Sequence, residues 1–250
     1  MTAPLPRRLL AELVGSAFLA AVVVGSGIAA QRLSPGQTGL ELFENAAATG
    51  AGLFAIILMV GPVSGGHLNP VVSVVDAAFG GLSWRDAVAY VPAQVGGCVG
   101  GAVLANLMFG SAAVSISTKP RASWAHGLAE VVATLGLLLV IFSLARSGRA
   151  RAAPAAVGSY IGAAYFFTSS TSFANPAITV ARMFSNSFAG IQPASVPGYV
   201  LAQVGGGILA VALIRVLYPD VTAAEAAEVI LPHPSAVALP GDGHPEPLHR

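Results

Sequence analysis

The sequence predicts an all-α membrane protein with six transmembrane helices and two shorter re-entrant helices arranged as an inverted repeat. Three observations predict this fold: the composition, the length of the apolar runs, and motifs that recur in the same order in both halves. Of the 250 residues, 55% are hydrophobic and only 9% are charged. Soluble domains carry about 25% charged residues, so this chain has too few charges to cover a water-facing surface.

Six apolar segments are long enough to cross about 30 Å of hydrocarbon, which takes a helix of about 20 residues. They are Leu9–Ala30, Leu42–Val63, Ala87–Phe109, Trp124–Leu144, Ala152–Thr171 and Pro197–Leu217. The first segment follows Arg7 and Arg8 but is longer than the apolar core of a signal peptide, so we expect it to be retained.

Arginine and lysine concentrate in the loops on the side that would hold both termini. The densest cluster is the sequence RSGRAR, which begins at Arg146. Because positively charged loops stay in the cytoplasm, this pattern predicts a multi-pass protein of the cell (inner) membrane with cytoplasmic N- and C-termini.

Two apolar stretches, Asn69–Phe79 and Asn175–Phe184, are too short to cross a bilayer and directly follow the second and fifth spans. In each, asparagine is suited to the N-cap and proline to the first helical position. Irregular backbone at membrane depth must be buried among other helices or line water. We therefore expect both stretches to be re-entrant helices that enter from opposite faces, meet near the bilayer centre and point their positive dipole ends at it.

The two halves of the chain repeat. YVPAQVGG from Tyr90 returns as YVLAQVGG from Tyr199, and an Ala-Glu pair and an Asn-Pro pair also recur in the same order. Each half holds three spans, so the second copy must be inverted in the membrane. These patterns predict one channel domain at residues 1–218, with repeats at about 8–110 and 124–218. A flexible cytoplasmic tail is expected at 219–250, where proline and glycine are frequent.

With SGGHLNPVVS from Ser64 and SFANPAITV from Ser172, the paired motifs resemble the major intrinsic proteins, the family of aquaporins and aquaglyceroporins, over about residues 8–218. The resemblance implies a six-helix bundle with two half-helices and a pore in every protomer. It also implies a homotetramer in the lipid bilayer and passive conduction of water or small neutral solutes.

The resemblance places two asparagine amides at the middle of the pore, where they would donate to a solute oxygen and, with the two positive helix ends, oppose cations. The expected midplane residues are Asn69, Pro70, Val71, Asn175, Pro176 and Ala177. The expected pore-lining carbonyls belong to Gly65, Gly66, His67, Thr171, Ser172 and Phe173. Val71 stands where the family usually has alanine, and its two extra methyl groups could narrow the midplane.

Glu12 and Glu130 lie within predicted spans, where a charged residue is costly unless it is satisfied. The resemblance implies that they accept hydrogen bonds from the re-entrant loops. The alternative is that they lie near helix ends and contact lipid headgroups.

In most family members an arginine follows the second triplet, whereas this chain has Ile178. Counting from the two asparagines places the remaining filter positions at Thr49, Ala163 (or its neighbour Gly162) and Ser172. Without a charged or aromatic side chain, this filter should be wide and admit glycerol-like polyols or metalloid acids. The triplet ending in valine and the missing arginine resemble the prokaryotic aquaglyceroporin branch linked to arsenic resistance. This resemblance implies arsenite, which is largely uncharged at neutral pH, as a solute.

Arg182 lies one helical turn beyond Ile178. Because helical side chains lean toward the N-terminus, it could reach back and shape the vestibule of the pore. The alternative is contact with headgroups or a neighbouring loop.

The alternatives to a broad channel are a water-selective aquaporin, a coupled secondary transporter and a closed-pore structural protein. The sequence contains no nucleophile–base set and no metal-ligand spacing, so we expect neither an enzyme nor a cofactor or metal. The net charge of +1 gives no indication of a nucleic-acid partner.

Overall fold

The computed structural model describes residues 3–219, and within that range all regular elements are helices. The α-helices are α1 (Leu5–Leu33), α2 (Thr38–Ser64), α3 (Pro70–Phe79), α4 (Trp84–Met108), α5 (Trp124–Arg146), α6 (Ala153–Phe167), α7 (Pro176–Ala181) and α8 (Val196–Leu217). Short 3₁₀ turns occupy Ala150–Ala152, Arg182–Phe184 and Pro193–Ser195. Apart from its first residue, the tail expected at 219–250 lies outside the described residues.

Within residues 3–219, five helices are long and apolar enough to cross a membrane: α1, α2, α4, α5, and α8 with its preceding turn. The sixth predicted span corresponds to α6, which has 15 residues and is preceded by the turn Ala150–Ala152. It ends at Phe167 rather than at the predicted Thr171, because Thr168 already has an extended backbone. The chain then enters the second re-entrant loop.

The helices pack as two similar sets. In the first set α1 packs on α2 and α4, and in the second set α5 packs on α6 and α8. The two sets join where α2 packs against α6 and where the short helices α3 and α7 meet between the longer ones. This arrangement is the one expected for two repeats of three spans and one re-entrant helix each.

Glycines of the repeated AQVGG motif lie at close helix crossings. Gly97 of α4 approaches the carbonyl oxygen of Leu13 in α1 so closely that a β-carbon would overlap it. In the second set, a β-carbon on Gly206 of α8 would lie 2.7 Å from the carbonyl oxygen of Val131 in α5. The motif is therefore repeated partly because each set needs one crossing at which two backbones touch.

The two re-entrant helices begin as the sequence predicts. Asn69 and Asn175 are N-caps, and Pro70 and Pro176 are the first helical residues. The α3 helix ends at Phe79, as predicted. The second is shorter than predicted as an α-helix: α7 ends at Ala181, and its last predicted residues form the 3₁₀ turn Arg182–Phe184.

Candidate functional site

The two re-entrant loops are joined at the centre of the molecule by reciprocal hydrogen bonds. The amide nitrogen of Asn69 donates to the carbonyl oxygen of Ala174 at 2.7 Å. The amide nitrogen of Asn175 donates to the carbonyl oxygen of Leu68, also at 2.7 Å. Each NH₂ group has two N–H donors, so one donor on each side chain is left for a solute.

The side-chain oxygens of the same asparagines cap the helices that follow. Asn69 Oδ1 accepts from the backbone N–H of Val71 at 3.0 Å. Asn175 Oδ1 accepts from Ala177 at 2.9 Å and Ile178 at 3.3 Å. In each asparagine the amide oxygen caps a helix and the amide nitrogen bonds the other loop. Neither side chain is therefore free to rotate.

Glu12 is fully buried and fixes the first re-entrant loop. Its Oε1 accepts from the Ser64 hydroxyl at 2.6 Å and the backbone N–H of His67 at 3.0 Å. Its Oε2 accepts from the backbone N–H of Leu68 at 2.7 Å and the Gln94 amide at 2.8 Å. Contact with headgroups, the alternative that the sequence left open, is excluded for this residue by its burial.

Glu130 holds the second loop in the same way and is also fully buried. Its Oε1 accepts from the backbone N–H of Phe173 at 2.9 Å, and its Oε2 accepts from that of Ala174 at 2.8 Å. Gln203 donates to the same Oε2 at 2.6 Å. The two glutamates are thus equivalent positions of the two repeats, each bound by backbone amides of one loop.

The loops adopt backbone conformations that L-residues rarely take. Leu68 and Ala174, whose carbonyls accept from the asparagines, have φ of 53° and 48°. Each such residue costs about 1–3 kcal/mol and persists only where its surroundings enforce it. Since Glu12 and Glu130 bind the N–H groups of these two residues, the glutamates are the groups that enforce this conformation.

A central cavity of about 60 Å³ runs past both asparagines. The cavity is large enough to admit water-sized molecules. Polar lining comes mainly from the two re-entrant loops, including Gly66, His67, Asn69, Ser172 and Asn175. Apolar lining comes from the long helices α1, α2, α5 and α6 and consists of Leu19, Val23, Leu53, Ile57, Leu137, Ile141, Val157 and Ile161. A solute therefore meets both hydrogen-bonding and apolar groups in this cavity.

The outer part of this cavity contains three of the four expected filter residues. Thr49, Ser172 and Ile178 line the cavity, and the Ser172 hydroxyl has no hydrogen-bond partner within the described residues. Ala163 does not line it, because its side chain is exposed on the outer surface of α6. Gly162, the alternative, lies at the crossing with α2, where its nearest neighbours are backbone atoms of α2.

Tyr165 takes the place expected for Ala163. It is buried, lines the cavity, and its hydroxyl lies 3.2 Å from the Thr49 hydroxyl. Two residues along a helix turn the side chain by about 200°, so Ala163 and Tyr165 point in opposite directions. The expectation that the filter lacks an aromatic side chain is therefore wrong.

Arg182 also lines the cavity, with only 2% of its surface exposed. Its guanidinium carbon lies 3.4 Å from the ring centre of Phe173. Its Nε donates to the carbonyl oxygen of Ala189, in the loop that returns from α7. The side chain thus reaches back from the 3₁₀ turn and contacts that loop, rather than lipid headgroups, and the filter region is not free of arginine.

Val71, Pro70 and Pro176 face away from the cavity. All three line an apolar crevice between α3 and α8, in which Val71 packs against Gly207. Ala177 is fully buried, and its backbone N–H bonds the Asn175 cap. The methyl groups of Val71 therefore do not narrow the midplane, contrary to the expectation from sequence.

Only some of the residues expected to supply pore-lining carbonyls line the cavity. Gly66, His67, Ser172 and Phe173 line the cavity. Thr171 instead lines a separate outer crevice with Lys119 and Arg121. Gly65 is the C-cap of α2, with φ of 90°, and allows the chain to turn into the first loop.

The comparisons with known proteins agree with this geometry. The family model described as Major intrinsic protein matches residues 1–174. The chain belongs to the major intrinsic protein family. Membership confirms the predicted membrane channel and agrees with the expectation that the protein is not an enzyme.

Among relatives in the major intrinsic protein family, the aquaglyceroporin AqpS of Rhizobium meliloti (strain 1021) is 48% identical over 211 residues, 84% of this chain and 90% of that protein. Aquaporin NIP1-4 of Oryza sativa subsp. japonica is 32% identical over 214 residues, 83% of this chain and 76% of that protein. The solved structure of the aquaglyceroporin from Plasmodium falciparum has a TM-score of 0.67 at 19% identity, covering 86% and 98% of the two chains. This structural match confirms the predicted helical membrane fold.

The sequence prediction missed the glutamines that this family member uses to brace its loops. Gln94 donates to Glu12 and to Ser73, and Gln203 donates to Glu130 and to Thr179, all at 2.6–2.9 Å. The signal was present, because both glutamines belong to the repeated AQVGG motif. A buried polar residue at the same place in two repeats indicates a partner in each.

The His67 ring of the first re-entrant loop is surrounded by side chains of α3 and α4. Its Nδ1 lies 3.1 Å from the Ser73 hydroxyl, and its Nε2 lies 3.5 Å from Asp76 Oδ2. The Tyr90 ring packs against it edge-on at 5.5 Å. No group of three potential metal ligands occurs among residues 3–219.

Proposed function

We propose that the protein is a passive transmembrane channel for small uncharged solutes. The observation that carries this proposal is the central cavity, which is lined by both hydrogen-bonding and apolar groups and contains the reciprocal asparagine pair. Hydrogen bonds to the polar groups replace part of the solute's hydration, while the apolar side chains bind it weakly enough for release.

The lining also argues against coupling to an ion gradient. Coupled transporters of the inverted-repeat type bind their ion near the bilayer centre. No aspartate or glutamate lines the described cavity. Glu12 and Glu130 are engaged by the loops instead. A cation that entered would find no carboxylate to replace its hydration shell.

The proposed solutes are glycerol-like polyols, arsenite-type metalloid acids and water. The proposal of polyols is supported by the relative that is 48% identical and named an aquaglyceroporin. Most family members have arginine at the position of Ile178. The uncharged isoleucine at this position supports conduction of solutes bulkier than water. Thr49, Tyr165, Ser172 and Ile178 form the proposed selectivity filter.

A water-selective channel is the second candidate. It is favoured by Tyr165 and Arg182, which add an aromatic and a charged side chain to the outer cavity. Both groups reduce the space and the apolar surface available to the carbon chain of a polyol. The two candidates therefore differ in the glycerol-to-water permeability ratio.

We further propose a homotetramer in the cell (inner) membrane with cytoplasmic termini. The orientation is supported by the excess of arginine around Arg146 and near the N-terminus. Each protomer has its own cavity, so assembly is not needed to form the pore.

The test is stopped-flow light scattering on proteoliposomes, with water and glycerol as solutes and arsenite uptake in the same vesicles. We expect rapid glycerol and arsenite flux in the wild type and a sharp reduction of both in Ile178→Arg, because a second guanidinium would fill the outer cavity. Water flux alone would favour the second candidate. Absence of any flux would contradict the channel proposal, and accumulation of solute against its gradient would favour a transporter.

A further inference from the structure

Arg182 is a charged side chain held at the outer end of the central cavity by fixed neighbours. Its Nε donates to the carbonyl of Ala189, and its guanidinium lies on the Phe173 ring. Phe173 is itself fixed, because Glu130 binds its backbone N–H and Tyr199 packs against its ring at 5.0 Å. Two contacts on different loops thus determine where the guanidinium lies.

Most of the hydrogen-bonding capacity of Arg182 is not used by the protein. A guanidinium has five N–H donors, and within residues 3–219 only Nε has a hydrogen-bond acceptor. The four N–H groups of the two terminal nitrogens therefore remain for water or for a solute oxygen. The residue lines the same cavity as Ile178 and Ser172, which is where such an oxygen would pass.

Arg121, the other arginine near the Phe173 ring, serves a different purpose. Its guanidinium carbon lies 5.2 Å from the ring centre. Its Nε and both terminal nitrogens donate to the carbonyls of Gly190, Ser170 and Phe188. Arg121 therefore holds loops together, and it does not line the central cavity described above.

The outer mouth carries positive charge without a bound carboxylate. Lys119 donates to the carbonyl of Phe188. Among the described residues, no aspartate or glutamate forms an ion pair with Lys119, Arg121 or Arg182. Burial lowers the pKa of Lys119, the charges of Arg121 and Arg182 lower it further, and the nearby charge of Glu41 acts in the opposite direction. Of these three charges, that of Arg182 borders the central cavity, whereas Lys119 and Arg121 line a separate outer crevice. The charge of Arg182 is therefore the one that faces a cation in the cavity.

We propose that Arg182 is a specificity-determining residue of the channel, which supplies the cation barrier and the outermost solute-binding donors from a position one turn beyond Ile178. The turn Arg182–Phe184 and the returning loop at Ala189 place its guanidinium over Phe173, beside the cavity. This inference rests on the proposed function, because selectivity has meaning only for an open pore.

The experiment compares wild type, Arg182→Gln, Arg182→Lys and Lys119→Gln in proteoliposomes. Lys119→Gln is the matched control, since it removes one positive charge from the same mouth but from a residue outside the central cavity. Each variant is first checked for its elution volume and thermal unfolding in detergent. Sodium leak is measured with a potential-sensitive dye, and water and glycerol flux by light scattering.

We expect Arg182→Gln to raise the sodium leak by about tenfold or more, because the barrier in a poorly hydrated pore is electrostatic. Its glycerol-to-water permeability ratio should also change. Arg182→Lys should keep the sodium leak low but change that ratio, since it preserves charge and loses the planar donors. Lys119→Gln should match wild type in both readouts.

An Arg182→Gln protein with wild-type sodium leak and wild-type permeability ratio would overturn the inference. An equal increase of leak in Lys119→Gln would also overturn it, because the effect would then belong to the mouth as a whole. Failure of the proposed function looks different: the wild type itself would then conduct neither water nor glycerol.

Discussion

Asn175 and Leu68, which belong to different repeats, are joined by a hydrogen bond from the asparagine amide to the leucine carbonyl at 2.7 Å. The equivalent bond from Asn69 to Ala174 has the same length. Each asparagine therefore caps its own helix, ties its loop to the other repeat, and keeps one N–H donor for the pore. Stability and conduction depend on the same two side chains.

Replacing Asn175 by alanine should impair both properties. The change removes the cap of α7 and the bond to Leu68, and we expect a cost of about 1–3 kcal/mol from the cap and the unsatisfied carbonyl. The measurements are thermal unfolding in detergent and glycerol flux in proteoliposomes. Asn186→Ala is the control, because its side chain accepts only from an exposed loop residue, Thr118. Equal effects of the two variants would contradict the prediction.

Replacing Glu130 by glutamine should destabilise the second re-entrant loop. The carboxylate accepts from Phe173, Ala174 and Gln203, whereas a glutamine would turn an NH₂ group toward at least one of these donors. We expect a loss of about 3 kcal/mol or more, the cost of breaking buried charge-assisted hydrogen bonds, and a fall in solute flux.

Asp86→Asn provides the comparison for Glu130→Gln. Asp86 pairs with Arg8 at 2.7 Å, and both side chains are partly exposed. An exposed ion pair contributes about 0–1 kcal/mol, so its loss should lower the unfolding temperature only slightly. A Glu130→Gln protein as stable as Asp86→Asn would show that the loop does not depend on the carboxylate.

Gly158 and Gly162 should respond differently to alanine. A β-carbon on Gly158 would lie 2.5 Å from the carbonyl oxygen of Gly50 in α2, whereas one on Gly162 would have its nearest neighbour at 3.7 Å. Gly158→Ala should therefore push α2 and α6 apart and cost about 1–3 kcal/mol through overpacking.

Because Thr49 of α2 and Tyr165 of α6 lie in the outer cavity, separating the two helices should also change the glycerol-to-water permeability ratio. Gly162→Ala should leave thermal stability and flux close to wild type. Stable, normally selective Gly158→Ala protein would mean that this crossing does not set the spacing of the filter.

Replacing Tyr165 by phenylalanine should alter selectivity with little effect on stability. The hydroxyl lies 3.2 Å from that of Thr49, and both residues line the cavity. Removing it leaves Thr49 able to bind water or a solute, so we expect a change in unfolding free energy of less than about 1 kcal/mol. The permeability ratio for glycerol and larger polyols is the measurement. An unchanged ratio for all solutes would exclude Tyr165 from the filter.

The sequence was sufficient wherever a local motif and its repeat agreed. Asn69 and Asn175 were identified because an N-cap followed by proline occurs twice at the end of an apolar run. Glu12 and Glu130 stand out because a charge within a span needs a partner, and the resemblance to the family indicates the re-entrant loops as that partner. These assignments need no knowledge of how distant helices are rotated.

Assignments that depend on how a helix is rotated about its axis, or on contact with a distant loop, could not be made from the sequence. Ala163 and Tyr165 differ by two residues on one helix, and only the packing of α6 on α2 decides which one faces the cavity. The direction of Val71 depends on α8, which supplies Gly207 as its neighbour. The position of Arg182 depends on the loop that brings Ala189 within reach.

The reciprocal bonds between the re-entrant loops have a consequence for biosynthesis. When the first repeat has been inserted, Leu68 still lacks its donor and Asn69 still lacks its acceptor, because both partners lie more than a hundred residues downstream. The strained first loop can therefore gain these two hydrogen bonds only once the second loop is in place.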